Sequence, residues 1–157
     1  MDRPEDGEFR SAIREWLDRT APRKGGPGDF SQRPIDPSLP PAHQREIEAA
    51  HARRCLGWQR ALHEAGFACV AWPEEYGGRG GTPAQALIAA QEQSRYGVSS
   101  ASLSVGLGMV GPTLLAHGTP EQKARYLPPL ARGEALWCQL FSEIGRASCR
   151  ERVSCCV

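Results

Sequence analysis

Three places in this 157-residue chain hold residue types and spacings that could do chemistry. The run Gly77-Gly-Arg-Gly-Gly81 has the backbone freedom to wrap an anion, because glycine reaches positive φ without a Cβ clash. A phosphate loop also needs a closing Lys-Ser/Thr and a position between strand and helix. This run has neither, so it is expected to be a tight turn. The thiols are the second place. Cys55, Cys69 and Cys138 are an odd set without metal-ligand spacing, and Cys149, Cys155 and Cys156 crowd the far end. Small buried or half-buried thiols in a reducing compartment are expected, with neither disulfides nor a metal. The third is Gly106, Gly108 and Gly111 within a helical pattern, where each glycine costs about 1 kcal/mol relative to alanine. Close approach by another helix or by a ligand would justify that cost.

The elements that must position these groups are mostly helices. Residues 4–17 place Phe9, Ile13, Trp16 and Leu17 on one face, with Glu5, Asp6 and Glu8 near the positive end of the dipole. Residues 21–41, rich in Pro, Gly and charge, are a long loop. A second helix over 41–65 carries the stripe Ile47, Arg54, Trp58, Leu62 and Ala65, with Gly66 placed to stop it. Residues 67–72 are short and apolar, and periodicity leaves a buried strand and an extended crossing both open. Thr82-Pro-Ala-Gln85 and Thr119-Pro-Glu-Gln122 are capping boxes, each a hydroxyl N-cap, a proline at the first helical position and a glutamine three residues on. They open helices running to about residue 96 and to Leu127-Pro128-Pro129. Between them, 101–117 reads as one helix with Leu103, Leu107, Val110, Leu114 and Leu115 on its apolar side. Residues 135–142 have the aromatic and aliphatic content of a strand, and a lone strand needs partners.

Composition narrows the function classes. With 40% hydrophobic and 24% charged residues the chain is an ordinary globular one, and its formal charge of +1 gives no footprint for nucleic acid or an anionic membrane. No apolar run is long enough to span a bilayer, and Met1-Asp-Arg-Pro-Glu-Asp lacks the character of a signal peptide, so a cytoplasmic protein is expected.

Three blocks carry a family resemblance: Ala65-Gly-Phe-Ala-Cys-Val-Ala-Trp-Pro-Glu-Glu-Tyr-Gly-Gly-Arg-Gly80, then Leu114 through Thr-Pro-Glu-Gln to Glu134, and Trp137-Cys-Gln-Leu-Phe-Ser-Glu143. Together they resemble the acyl-CoA dehydrogenases. The fold that this implies is mainly α: an N-terminal helical domain over 1–134, with 135–143 as the first strand of a middle β-domain otherwise missing. In the family that strand continues as Pro-Gly-Ala-Gly-Ser-Asp. Here residues 144–157 instead resemble the in-frame translation of a sequencing adapter, and are expected to be a non-native tail. The chain is thus expected to be an N-terminal fragment that is inactive alone.

The resemblance implies FAD as cofactor and oxidation of the α,β bond of an acyl-CoA thioester, with electrons passing to an acceptor such as electron-transfer flavoprotein. The full-length proteins would be homo-oligomers. Gln139, Leu140, Phe141 and Ser142 match the strand that contacts the flavin ring, Ser142 standing where a hydroxyl would bond it; a core strand with an edge serine is the alternative. Leu103, Leu107 and Val110 match the helix lining the acyl channel, although a leucine stripe also suits a core. No catalytic residue is implied here, because the family's glutamate base lies in the C-terminal domain. Glu74, Glu75, Glu92, Glu121, Glu134 and Glu143 are therefore expected to be solvated or capping carboxylates. A stand-alone helical interaction module, an acyl-CoA oxidase and a flavin monooxygenase are the competing readings.

Overall fold

A computed structural model describes residues 4–139, apart from positions 33 and 37. Its helices are α1 (Pro4–Thr20), α2 (Pro41–Glu64), α3 (Pro83–Gln93), α4 (Gly111–His117) and α5 (Pro120–Ala131). Short 3₁₀ turns occupy Glu74–Tyr76 and Ala101–Leu103, and a π turn spans Gly106–Val110. The mainly helical architecture agrees with the sequence reading.

Two apolar clusters hold these elements together. In the first, Phe9, Ile13 and Leu17 of α1 meet Trp58 and Leu62 of α2, Ile88 and Ala89 of α3, and Phe67, Ala68 and Val70 of the crossing. Ring packing adds direction, with Phe9 edge-on to Phe67 at 5.9 Å between centroids. Trp72 founds the second cluster with Leu127, Leu130 and Ala131 of α5, and Leu107, Leu114, Leu115 and Trp137 pack against it. The crossing 67–72 is neither a strand nor fully extended; it is a chain of turns in which Cys69 takes φ +44°. Turns let four of its six side chains point inward, whereas a strand would alternate them across two faces.

The capping boxes at Thr82 and Thr119 are both formed. Gln85 N–H donates to Thr82 Oγ1 at 3.2 Å and Gln122 N–H to Thr119 Oγ1 at 3.3 Å, with each glutamine amide oxygen accepting from the threonine N–H. The long loop is pinned. Phe30 N–H donates to Gly97 O, Gly97 N–H donates to Pro22 O, and the Asp29 carboxylate accepts from Gly25 and Ser31 N–H.

Two helix boundaries differ from expectation. Helix α5 runs through Pro128 and Pro129 to Ala131, although neither proline can donate to the preceding turn. Burial of Leu127, Leu130 and Ala131 outweighs those lost bonds, and the proline carbonyls close the end by accepting from Arg132 and Glu134 N–H. The stretch 101–117 is three pieces instead of one helix. Pro112 lacks the N–H that Gly108 O would need in an α-helix, and Gly111 N–H donates instead to Gly106 O, five residues back.

Candidate functional site

The π turn sets one wall of a cavity of about 400 Å³. Val105 lines it from just before the turn, Met109 and Val110 from the turn, Thr113 and Leu114 from α4, Tyr126 from α5, and Trp137, Cys138 and Gln139 from the segment that follows. Tyr126 and Trp137 form a T-shaped pair, 5.6 Å between centroids at 81°. Trp137 comes this close because Gly106 lies behind it: a β-carbon there would sit 3.3 Å from the indole and 2.6 Å from a Leu130 methyl. The lining side chains are mostly aliphatic or aromatic; Thr113, Tyr126, Trp137 and Gln139 carry polar groups beside the Cys138 thiol, and no carboxylate is among the described lining residues. Such a surface suits an acyl chain or the flat face of a ring, anchored by a few hydrogen bonds at the rim.

The structure brings together two of the residues singled out from the sequence, Val110 and Gln139. Leu103 is fully buried and belongs to the core. Leu107 points to the other side of the π turn, lining a separate hollow with Leu62, Val70 and Trp72. Leu140, Phe141 and Ser142 lie outside the described residues, as does the tail; residues 135–139 are in neither helix nor strand. Sequence reading missed Val105, Met109, Thr113 and Tyr126. Val105 and Met109 fall outside the apolar stripe 103, 107, 110 and 114 that helical periodicity marks, yet they line the cavity together with Val110 and Leu114 of that stripe.

Elsewhere the polar groups are structural. The N–H groups of Gly77, Gly78, Gly80 and Gly81 are spent on the carbonyls of Glu74, Pro73, Trp72 and Val70, so this run is the tight turn expected and holds no anion cradle. Glu92 departs from its expected solvated role. It is 2% exposed and gripped by Arg14 through two bonds of 2.9 and 3.0 Å, by Arg10 at 2.8 Å and by Arg95 at 3.3 Å. The Arg14 bonds, aided by the other two arginines against the opposing effect of burial, hold its carboxyl at about 2. Glu74, Glu75, Glu121 and Glu134 are exposed, and Glu143 lies outside the described residues. Cys55 is buried with Sγ 3.5 Å from His51 Nε2, Cys69 is half-buried and Cys138 exposed. Burial pushes the Cys69 thiol up to about 12, although the Gln59 amide faces its sulfur. Among the described residues no group of three or more His, Cys, Asp or Glu could hold a metal, and no helix is long and apolar enough to cross a membrane.

A helical unit of this order, with an apolar cavity between its last helices and the segment after them, matches a known class. The family model described as "Acyl-CoA dehydrogenase, N-terminal domain" matches residues 29–134, and the chain belongs to the acyl-CoA dehydrogenase family. It is 37% identical over 148 residues to the acyl-CoA dehydrogenase IpdE1 of Mycobacterium tuberculosis, covering 90% of this chain and 34% of that protein. To acyl-CoA dehydrogenase FadE34 of the same organism it is 47% identical over 90 residues, 57% of this chain and 12% of that one. A chain in the crystal structure of the ChsE4-ChsE5 complex, also from M. tuberculosis, shares the fold with a TM-score of 0.56 at 23% identity, over 85% of this chain and 29% of that one. The chain spans about a third of the length of IpdE1.

Proposed function

We propose that this chain supplies the N-terminal helical wall of an FAD-dependent acyl-CoA dehydrogenase that oxidises the α,β bond of an acyl-CoA thioester. The observation that carries this reading is the meeting of Val110 and Gln139 at one apolar cavity: the first was assigned to the acyl channel and the second to the flavin strand, 29 positions apart. The residues present fit one edge of that assembly. Val105, Met109 and Val110 exclude water from an acyl chain, while the Gln139 amide and the indole of Trp137 offer a donor and an aromatic edge to a planar ring. A flavin held at that edge would supply the acceptor for the β-hydride. Removal of the α-proton needs a carboxylate base in a dry pocket, and we place that base in the part of the relatives' length that this chain does not span. For the same reason the 157-residue chain alone neither holds FAD tightly nor turns over. Electron-transfer flavoprotein as acceptor, a homo-oligomeric full-length protein and a cytoplasmic location complete the proposal, on family membership.

Titrating the chain with dodecanoyl-CoA and with free CoA, by calorimetry, tests the reading. The thioester is expected to bind measurably more tightly than CoA, and Val110→Asp to abolish that preference by placing a charge on the apolar wall. Equal affinity for the two would refute the acyl wall. FAD that survives gel filtration with the chain, together with substrate-dependent bleaching, would refute its inactivity.

A further inference from the structure

We infer that the hollow between α2, the crossing 67–72 and α3 is a second binding site, for a small neutral molecule whose apolar body carries one O–H or N–H donor. The hollow measures about 400 Å³ and shares no described lining residue with the cavity of Val110 and Gln139. Its floor is the buried apolar surface of Leu62, Phe67 and Val70. On the α3 side the lining residues are Ala86, Ala89 and Ala90, whose short side chains leave the space open. No charged side chain is among the described lining residues, so an ion entering here would lose its hydration without compensation. An apolar body loses nothing by entering.

Gln59 supplies the polar anchor. It lines the hollow and is only 3% exposed. Its Nε2 is spent, donating to Ala131 O at 2.9 Å and facing Cys69 Sγ at 3.8 Å. Its Oε1 accepts from no described group, and it is not among the buried atoms sealed from water without a partner. The oxygen therefore looks into the space that the residue lines, as an acceptor held in place by the bonds on the other end of its amide. The Gln93 amide on the same wall is committed at both ends, accepting from Trp58 Nε1 and donating to Ala89 O. One acceptor at depth calls for one donor on the ligand. Cys69, which also lines the hollow, is the one described non-glycine residue with positive φ, +44°. Backbone held in that region gathers at sites that bind. The inference stands whether or not the chain belongs to a flavin enzyme.

Titrating the full chain with 2-naphthol and with 2-methoxynaphthalene, followed by methyl NMR, tests it. The two probes share a ring system and differ in the O–H donor. 2-Naphthol is expected to bind about fivefold more tightly, the equilibrium equivalent of one hydrogen bond. Both should shift the methyl signals of Ala89 and Leu107 more than those of Val105 and Val110, which line the other cavity. Gln59→Met keeps the length of the side chain without its acceptor, and should bring the two affinities together. Ala86→Leu leaves the Gln59 bonds in place and fills the hollow, so it should weaken both probes and serves as the variant if Gln59→Met does not fold. Equal affinity for the two probes in the wild type overturns the site, as does binding of neither. So do shifts centred on Val105 and Val110, a preference for 2-naphthol that survives Gln59→Met, or affinities indifferent to Ala86→Leu.

Discussion

The indole of Trp72 rests on the backbone of Gly111, in the space where a β-carbon would stand. This contact joins the crossing segment to the start of α4 and fixes one end of the π turn. Gly111→Ala therefore forces the ring out of the cluster it shares with Leu127 and Leu130. A loss of about 1–3 kcal/mol is expected, the usual cost of overpacking a core. Gly108→Ala, in open space, should be neutral or stabilising by up to about 1 kcal/mol. Urea denaturation of the pair gives the comparison; equal effects would show that the Trp72 contact does not constrain this position.

Glu92 ties α3 to α1 through Arg10 and Arg14. Glu92→Gln leaves those arginines without their counter-charge. The expected destabilisation is about 2 kcal/mol, below the roughly 3–5 kcal/mol of a fully enclosed pair, because Arg14 and Arg95 reach solvent. The same carboxylate predicts a pH dependence. Its folded value, about 2, lies below the ordinary 4.5, so the stability it contributes is complete above 4.5. That stability is lost as pH falls from there towards 2. Denaturation midpoints across this range should slope downward with falling pH in the wild type, and the slope should lessen in Glu92→Gln.

Thiol reactivity should follow burial. The Cys69 thiol, pushed up to about 12, is almost wholly protonated near neutrality, and Cys55 is buried, whereas Cys138 is exposed. Brief labelling of the native chain with iodoacetamide, followed by peptide mapping, is expected to modify Cys138 more than about tenfold faster than Cys69. Comparable rates would mean that the crossing 67–72 opens readily.

Each capping box should be worth about 1 kcal/mol. Thr82→Ala removes the acceptor for Gln85 N–H at the start of α3, and Thr119→Ala does the same for Gln122 N–H at α5. Thr82→Ala should be at least as costly, since its box is partly buried and that of Thr119 is exposed. Denaturation midpoints of the single variants check the order.

Most of the helical frame was legible in the sequence because its signals are local. The threonine, proline and glutamine of each capping box lie within one turn, and the stripe Phe9, Ile13, Leu17 records a face that must be buried. The family blocks were legible for a similar reason, being contiguous runs of residues. Val110 and Gln139 could be nominated individually, and the sequence alone could not say that they share a cavity. Only the tertiary structure decided that, through contacts between distant residues. Packing on α5 carries a helix past two prolines, and Pro112 and the Trp72 ring on Gly111 go with a π turn where periodicity reads a plain helix. There Val105 and Met109 line the cavity, while Leu103 is buried in the core and Leu107 lines a separate hollow. Glu92 shows the same division. Its charge is visible in the sequence, but Arg10 and Arg14, which grip it, come from the distant helix α1, and only folding brings them within reach.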